Sequence, residues 1–215
     1  MKLLIAGATG LVGGHALTLA LNDPRFTAIV APTRRALGLA PRPAKLDNPT
    51  IDFAKLPGDL FAGVDAVACA IGTTIKKAGS KERFREIDKD LVVSLATAAH
   101  RAGVRRFAYV SSVGASTKSG TFYLRMKGET EAALSALGFE SLTLLRPSFL
   151  GGERDESRPM ERLGLGVARA LSFAIPKRYR VVPAEAVARA MLESLVTGAA
   201  GQTVLESEAI AFATA

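Results

Sequence analysis

The chain is 215 residues long, and its 28 basic and 20 acidic side chains leave a net charge of +8. That length suits one domain around one core, and a single cysteine excludes a disulfide framework. Hydrophobic residues make up 48% and aromatics 6%, as in an Ala/Leu/Val-rich α/β protein, and no apolar run reaches the about eighteen residues that a membrane span needs.

The apolar N-terminus is interrupted by Gly7, Thr9 and Gly10, so it reads as a strand and not as a leader. Residues 2–6 form that strand, and residues 11–22 read as a helix that ends before Pro24. A second strand covers 26–31, and Pro32 ends its ladder because it has no N–H. Residues 34–49, rich in proline and base, read as a loop, followed by a short strand near 50–53 and a longer one at 65–71. Cys69 lies in that apolar run and reads as buried and inert. A long helix is predicted from Ser80, its N-cap, to Arg101, with Gly103 in the position of a C-terminal glycine.

Next come a strand at 105–110, a helix from 122 to 137 ended by Gly138, and a strand at 141–146 stopped by Pro147. Residues 151–180 change character, with an amphipathic stretch at 159–173, and read as a small cover on the substrate side. A strand at 180–182 precedes a helix at 184–197. This alternation predicts a doubly wound, mostly parallel sheet of the Rossmann type in a single domain spanning 1–215.

The sharpest local signal is Gly-Ala-Thr-Gly-Leu-Val-Gly, with Gly7, Gly10 and Gly13, between the first strand and the first helix. Glycine permits the tight turn, and the helix N-terminus offers N–H groups and a partial positive charge to a pyrophosphate. Gly7, Thr9, Gly10, Leu11, Val12 and Gly13 are therefore candidate dinucleotide contacts. The second strand is followed by Thr33, Arg34 and Arg35, where an NAD-preferring protein places a carboxylate for the ribose 2′-OH. Arginine there suits a 2′-phosphate, so NADP(H) is expected ahead of NAD(H). Asp52, at the end of the third strand, and the turn Ala70, Ile71, Gly72 and Thr73 are expected around the adenine and its ribose.

The second signal is Ser111 and Ser112 after the 105–110 strand, then Tyr123 and Lys127 four apart on the next helix, hence on one face. A phenol ionises near pH 10 and serves poorly as an acid–base at neutral pH. An ammonium beside it favours the phenolate, and a serine hydroxyl at the strand tip can polarise a substrate carbonyl.

With G-A-T-G-L-V-G, V-S-S-V-G-A, Y-L-R-M-K-G-E-T-E and L-L-R-P-S-F-L-G-G-E-R, the chain resembles the short-chain dehydrogenase/reductase superfamily in its extended or atypical branch. It looks closest to the small Tat-interacting-protein-like oxidoreductases, which bear NAD-dependent epimerase/dehydratase-like sequence. The resemblance implies that Tyr123 is the general acid–base and that Lys127 binds the nicotinamide ribose and tunes Tyr123. It further implies that Ser111, or alternatively Ser112, orients the carbonyl, and that Pro147 and Ser148 touch the nicotinamide end. Extended members carry a larger C-terminal substrate domain than residues 151–180 could form, which argues against a nucleotide-sugar substrate and for a small or open pocket.

The leading expectation is thus an NADP(H)-dependent oxidoreductase acting on a small carbonyl or alcohol. A cofactor sensor or partner-binding protein without turnover, and an epimerase or dehydratase, are the alternatives. The basic residues are scattered and no nucleic-acid module is recognisable, so neither nucleic acid nor membrane is expected as a partner; the assembly state, a homodimer included, is left open. His15 and His100 lack neighbours at metal-ligand spacing, so no metal is expected. Asp88, Asp90, Glu129 and Glu131 read as solvated helix positions. The lone cysteine and the missing leader set the expectation of a cytoplasmic protein.

Overall fold

The computed structural model describes residues 1–151 and 177–212; the amphipathic stretch at 159–173, and most of the expected cover, lie outside the described residues. Seven strands form one sheet: β1 (Lys2–Ala6), β2 (Ala28–Val30), β3 (Leu46–Asp47), β4 (Ala66–Cys69), β5 (Arg106–Val110), β6 (Ser141–Arg146) and β9 (Gly201–Glu206). Their order is β3-β2-β1-β4-β5-β6-β9, and every neighbouring pair is parallel. This is the Rossmann arrangement, with the order reversing between β1 and β4. A separate parallel pair joins β7 (Leu150–Gly151) to β8 (Val182–Pro183).

Strand side chains alternate between two faces, and here both faces are covered. Leu3, Ile5, Ala66, Ala68 and Ala108 pack with Ala16, Leu17 and Ala20 of α1 (Leu11–Asn22) and with Val187 and Met191 of α6 (Ala184–Thr197). Leu4, Val67, Cys69, Phe107 and Tyr109 point the other way, against Val92, Leu95 and Ala99 of α4 (Leu91–Arg101) and Leu134 of α5 (Phe122–Ser135). Burial on both faces explains why the central strands read as continuous apolar runs.

Four readings are corrected by the structure. The third strand lies at Leu46–Asp47, inside the expected loop, and near 50 there is an isolated bridge between Thr33 and Thr50. Asn48 makes this possible: its amide donates to Ala31 O at 2.6 Å and Thr33 Oγ1 at 2.8 Å, and its oxygen accepts from Leu37 N at 2.9 Å. The helix from Ser80 is not uniform. Ser80 caps α3 (Lys81–Arg85), accepting from Arg83 N, but a π turn (Glu86–Asp90) separates it from α4. A short helix, α2 (Ile75–Ala78), precedes it. The strand expected at 180–182 is Val182–Pro183, after a 3-10 turn at Lys177–Tyr179. Finally, β9 and α7 (Ser207–Phe212) were not expected at all. As the sheet's edge strand, β9 begins with exposed Gly201 and Gln202, which hides the strand pattern.

Candidate functional site

The carboxyl ends of β1 and β4 flank the point where the strand order reverses, which is where doubly wound sheets hold ligands. Gly7 leaves β1 with φ +90°, and a Cβ there would stand 2.7 Å from the Ala70 carbonyl carbon and oxygen. Only glycine allows the loop after β1 to lie against the loop after β4 in that conformation. Gly10 N donates to Gly7 O at 2.9 Å, and Gly14 N to Gly10 O at 2.8 Å. The turn therefore delivers α1 directly over the sheet edge. The N–H groups of Leu11, Val12 and Gly13 have no intrahelical acceptor, no side chain caps them, and the first turn carries no acid. Thr9 and Gly10 are exposed, while Val12 and Gly13 are buried. Donors without a cap, glycines with no room for a Cβ and an open Gly10 fit a dinucleotide pyrophosphate.

Arg34 and Arg35 are exposed beyond β2, and neither side chain has a hydrogen bond or ion pair among the described residues. Thr33 is buried and held by Asn48, so the arginines project from a fixed anchor. Asp52 is exposed and accepts from Ala54 N at 2.9 Å. Because β3 ends at Asp47, Asp52 follows the Thr33–Thr50 bridge and not the third strand.

Lys127 is the centre of the second cluster. It is only 4% exposed, and its Nζ lies 3.0 Å from Asp88 Oδ1, itself fully buried. The same ammonium donates to the Tyr109 hydroxyl at 3.0 Å and to Val110 O at 3.4 Å. Asp88 Oδ2 accepts from Thr73 N at 2.8 Å. Burial by itself would push the Lys127 ammonium down, but Tyr109 and Asp88, with Tyr123 further out, hold it above its ordinary range. Burial pushes the Asp88 carboxyl up, while Lys127 and the Thr73 N–H pull it back. An ammonium on one oxygen and an N–H on the other both favour the ionised carboxylate, against the effect of its burial. Tyr109 is pushed up to about 12 by burial, against Lys127. It is therefore a neutral phenol, and it donates to Asp88 O at 3.4 Å.

Tyr123 is half-buried, its ring 5.6 Å from the fully buried Phe84 of α3. It stands one helical turn from Lys127 and contributes to the electrostatic environment of that ammonium. Among the described residues, the tyrosine hydroxyl that accepts a hydrogen bond from Lys127 is that of Tyr109 and not that of Tyr123. Ser111 follows β5 with its hydroxyl buried and, among the described residues, without a hydrogen-bond partner, next to the Val110 carbonyl that Lys127 reaches. Ser112 is half-buried, and its hydroxyl makes a long 3.5 Å contact to Val113 O. Pro147 continues the β6 ladder by accepting from Val113 N at 2.9 Å, and the Ser148 hydroxyl donates to Arg180 O.

Several residues here were not expected. Asp88 reads from the sequence as a solvated helix position; it lies instead in the π turn, whose phase differs from that of a regular helix, and is fully buried. Glu131 was misread in the same way: it is buried and grips Arg146 through both oxygens, at 2.6 and 3.0 Å. Glu129 is partly buried against Lys89 at 2.5 Å, whereas Asp90 is exposed as expected. Tyr109 gave no signal beyond an apolar strand. Gly128 did give one, as the glycine directly after Lys127. A Cβ on it would stand 2.3 Å from the Ser116 carbonyl carbon, so it lets α5 lie against the loop after β5 and sets the depth of Lys127. Cys69 is fully buried, and burial pushes its thiol up to about 12, which keeps it an inert thiol.

Residues 7–197 match the family described as NAD(P)H-binding. The chain belongs to that family. It is 35% identical to Protein HTATIP2 of Rattus norvegicus over 216 residues, covering 97% of this chain and 87% of that protein. It is 38% identical to "Protein fmp52, mitochondrial" of Emericella nidulans over 173 residues, 78% of this chain and 74% of that one. Among solved structures, a "Putative NAD-dependent epimerase/dehydratase from Bacillus halodurans" superposes with a TM-score of 0.70 at 20% identity, over 99% of both chains. "MoeE5 in complex with UDP-glucose and NAD" does so with 0.73 at 19%, over 95% of this chain and 75% of that one. At such identities these structures show the shared Rossmann fold. The relatives bear out the superfamily resemblance drawn from the motifs. They also correct the cytoplasmic expectation, because the fungal relatives carry "mitochondrial" in their names. Among the described residues no helix is long and apolar enough to cross a membrane.

Proposed function

We propose that this chain is an NADP(H)-dependent oxidoreductase of the short-chain dehydrogenase/reductase type, interconverting a small carbonyl compound and its alcohol. The observation that carries the reading is Lys127, a buried ammonium on the same helix as Tyr123, at the end of β5 where the Ser111 hydroxyl has no partner among the described residues. A protein that only bound a nucleotide would have no need for an acid–base tyrosine beside a fixed cation. The glycine turn, Leu11–Gly13 N–H groups, Arg34 and Arg35 would hold the dinucleotide, with the arginines favouring a 2′-phosphate. When bound, the cofactor supplies or accepts the hydride. Tyr123 then gives or takes the proton at its hydroxyl, Ser111 hydrogen-bonds the substrate oxygen, and Lys127 keeps a positive charge one helical turn from Tyr123.

The test is a panel of carbonyl compounds with NADPH, followed by absorbance. Turnover that depends on Tyr123 supports the reading. Tight NADP(H) binding with no turnover across a broad panel favours a sensor, and nicotinamide that is retained and recycled favours an epimerase or dehydratase.

A further inference from the structure

The buried pair Asp88–Lys127 is poorly explained by stability. Two ions taken out of water lose hydration that their mutual attraction only partly returns, and apolar residues of similar volume often do as well or better. Yet Asp88 is held at several points. Its main-chain oxygen accepts from Thr130 Oγ1 of α5 at 3.1 Å and from the Tyr109 hydroxyl of β5 at 3.4 Å. Its side chain is fixed by Thr73 N at 2.8 Å. The π turn that carries it is thus pinned to the elements bearing Ser111, Tyr123 and Lys127.

Access to the pair is equally specific. Gly72 is exposed, and a Cβ on it would stand 3.3 Å from Asp88 Oδ1 and 3.6 Å from Lys127 Nζ. Any side chain at 72 would crowd the pair on its solvent side. The Oδ1 atom has no aligned hydrogen-bond donor among the described residues, so its contact with Lys127 is one of charge.

We propose that Asp88 is a positioning residue whose carboxylate keeps Lys127 a fixed cation beneath Gly72, available to a ligand arriving at the glycine turn. The proposal rests on the oxidoreductase reading for its purpose, but not for its test. Among the described residues, the titratable groups around the ammonium are Asp88 from the π turn, Tyr109 from β5, Tyr123 from α5 and Cys69 from β4. Asp88 is the carboxylate among them, and burial keeps Tyr109 and Cys69 protonated up to about 12. Without Asp88, Lys127 would be a buried ammonium with neutral polar partners, a setting that lowers lysine ionisation by several pH units.

Asp88→Asn keeps the shape and an oxygen for the Thr73 N–H while removing the charge. Lysine Nζ titration by NMR in the cofactor-free protein should find wild-type Lys127 charged to about pH 10, and its midpoint lowered to about 7–8 in the variant. Calorimetry should then show NADP(H) affinity falling at least about tenfold near pH 9 in the variant and recovering near pH 6. A merely structural role would weaken binding equally at both. If Asp88→Asn folds poorly, Asp88→Asn/Lys127→Met should regain the lost melting temperature, because the uncompensated charge is gone. An unshifted Lys127 titration, a pH-independent loss of affinity, or no recovery in the double variant would overturn the proposal. None of these readouts needs turnover, so an inactive wild type would count against the oxidoreductase reading alone.

Discussion

Gly13 sits directly on the Gly7 carbonyl: a Cβ at Gly13 would stand 2.0 Å from the Gly7 oxygen. At Gly10 the same oxygen would be 3.2 Å away, and Gly10 is exposed. The two glycines therefore do different work, one in packing and one in leaving an approach open. Gly13→Ala should lower stability by about 1–3 kcal/mol, the usual cost of overpacking, measured by urea unfolding. Gly10→Val should stay folded and lose NADP(H) binding in calorimetry. A Gly10→Val protein with the original affinity would show that the pyrophosphate lies elsewhere.

Among the described residues, Arg34 and Arg35 stand free beyond a buried Thr33 anchor. A charge-assisted contact to a 2′-phosphate is worth about 1.5–3 kcal/mol, or about ten- to a hundredfold in affinity. Arg34→Ala or Arg35→Ala should weaken NADP(H) by that factor and leave NAD(H) nearly unchanged. Wild-type protein that binds NAD(H) as tightly as NADP(H) would contradict the preference.

Tyr123→Phe keeps the ring against Phe84 and removes the hydroxyl. General acid–base catalysis contributes about 10²–10⁴-fold, so kcat should fall at least about a hundredfold while the NADP(H) Kd holds. Turnover undiminished by the change would remove Tyr123 from the mechanism. Lys127→Ala should lose cofactor affinity as well as rate.

Stability should decline in alkali. Burial raises the Cys69 thiol from 9.0 to about 12, so in that interval the folded chain holds a proton that the unfolded chain has released. Unfolding free energy then falls as pH rises: the contribution is complete below about pH 9 and lost by about pH 12. It amounts to at most about 4 kcal/mol, at about 1.4 kcal/mol per unit. Tyr109, raised from 10.0 to about 12, adds to the same slope. Denaturant unfolding at stepped pH should show a shallower decline in Cys69→Ala than in wild type; equal slopes would mean that Cys69 ionises in the folded state.

What could be read directly from the sequence rested on local chemistry. The β1 turn needs glycine where φ is +90°, helices need caps such as Ser80, and strands buried on both faces must be apolar throughout. Those rules act over a few residues, so they located the glycine turn, the Tyr123–Lys127 face and the Rossmann alternation. The partners of Lys127 obey no such rule. Asp88 comes from 39 positions earlier and Tyr109 from 18, and they meet because β5 lies beside β4 while a π turn rotates one acid inward. In sequence, Asp88 is one charge among Glu86, Lys89 and Asp90, and like Asp90 it reads as facing water. Only the packing of α5 against that turn, at the depth permitted by Gly128, buries this carboxylate, because a charge leaves water where tertiary structure supplies its counter-ion.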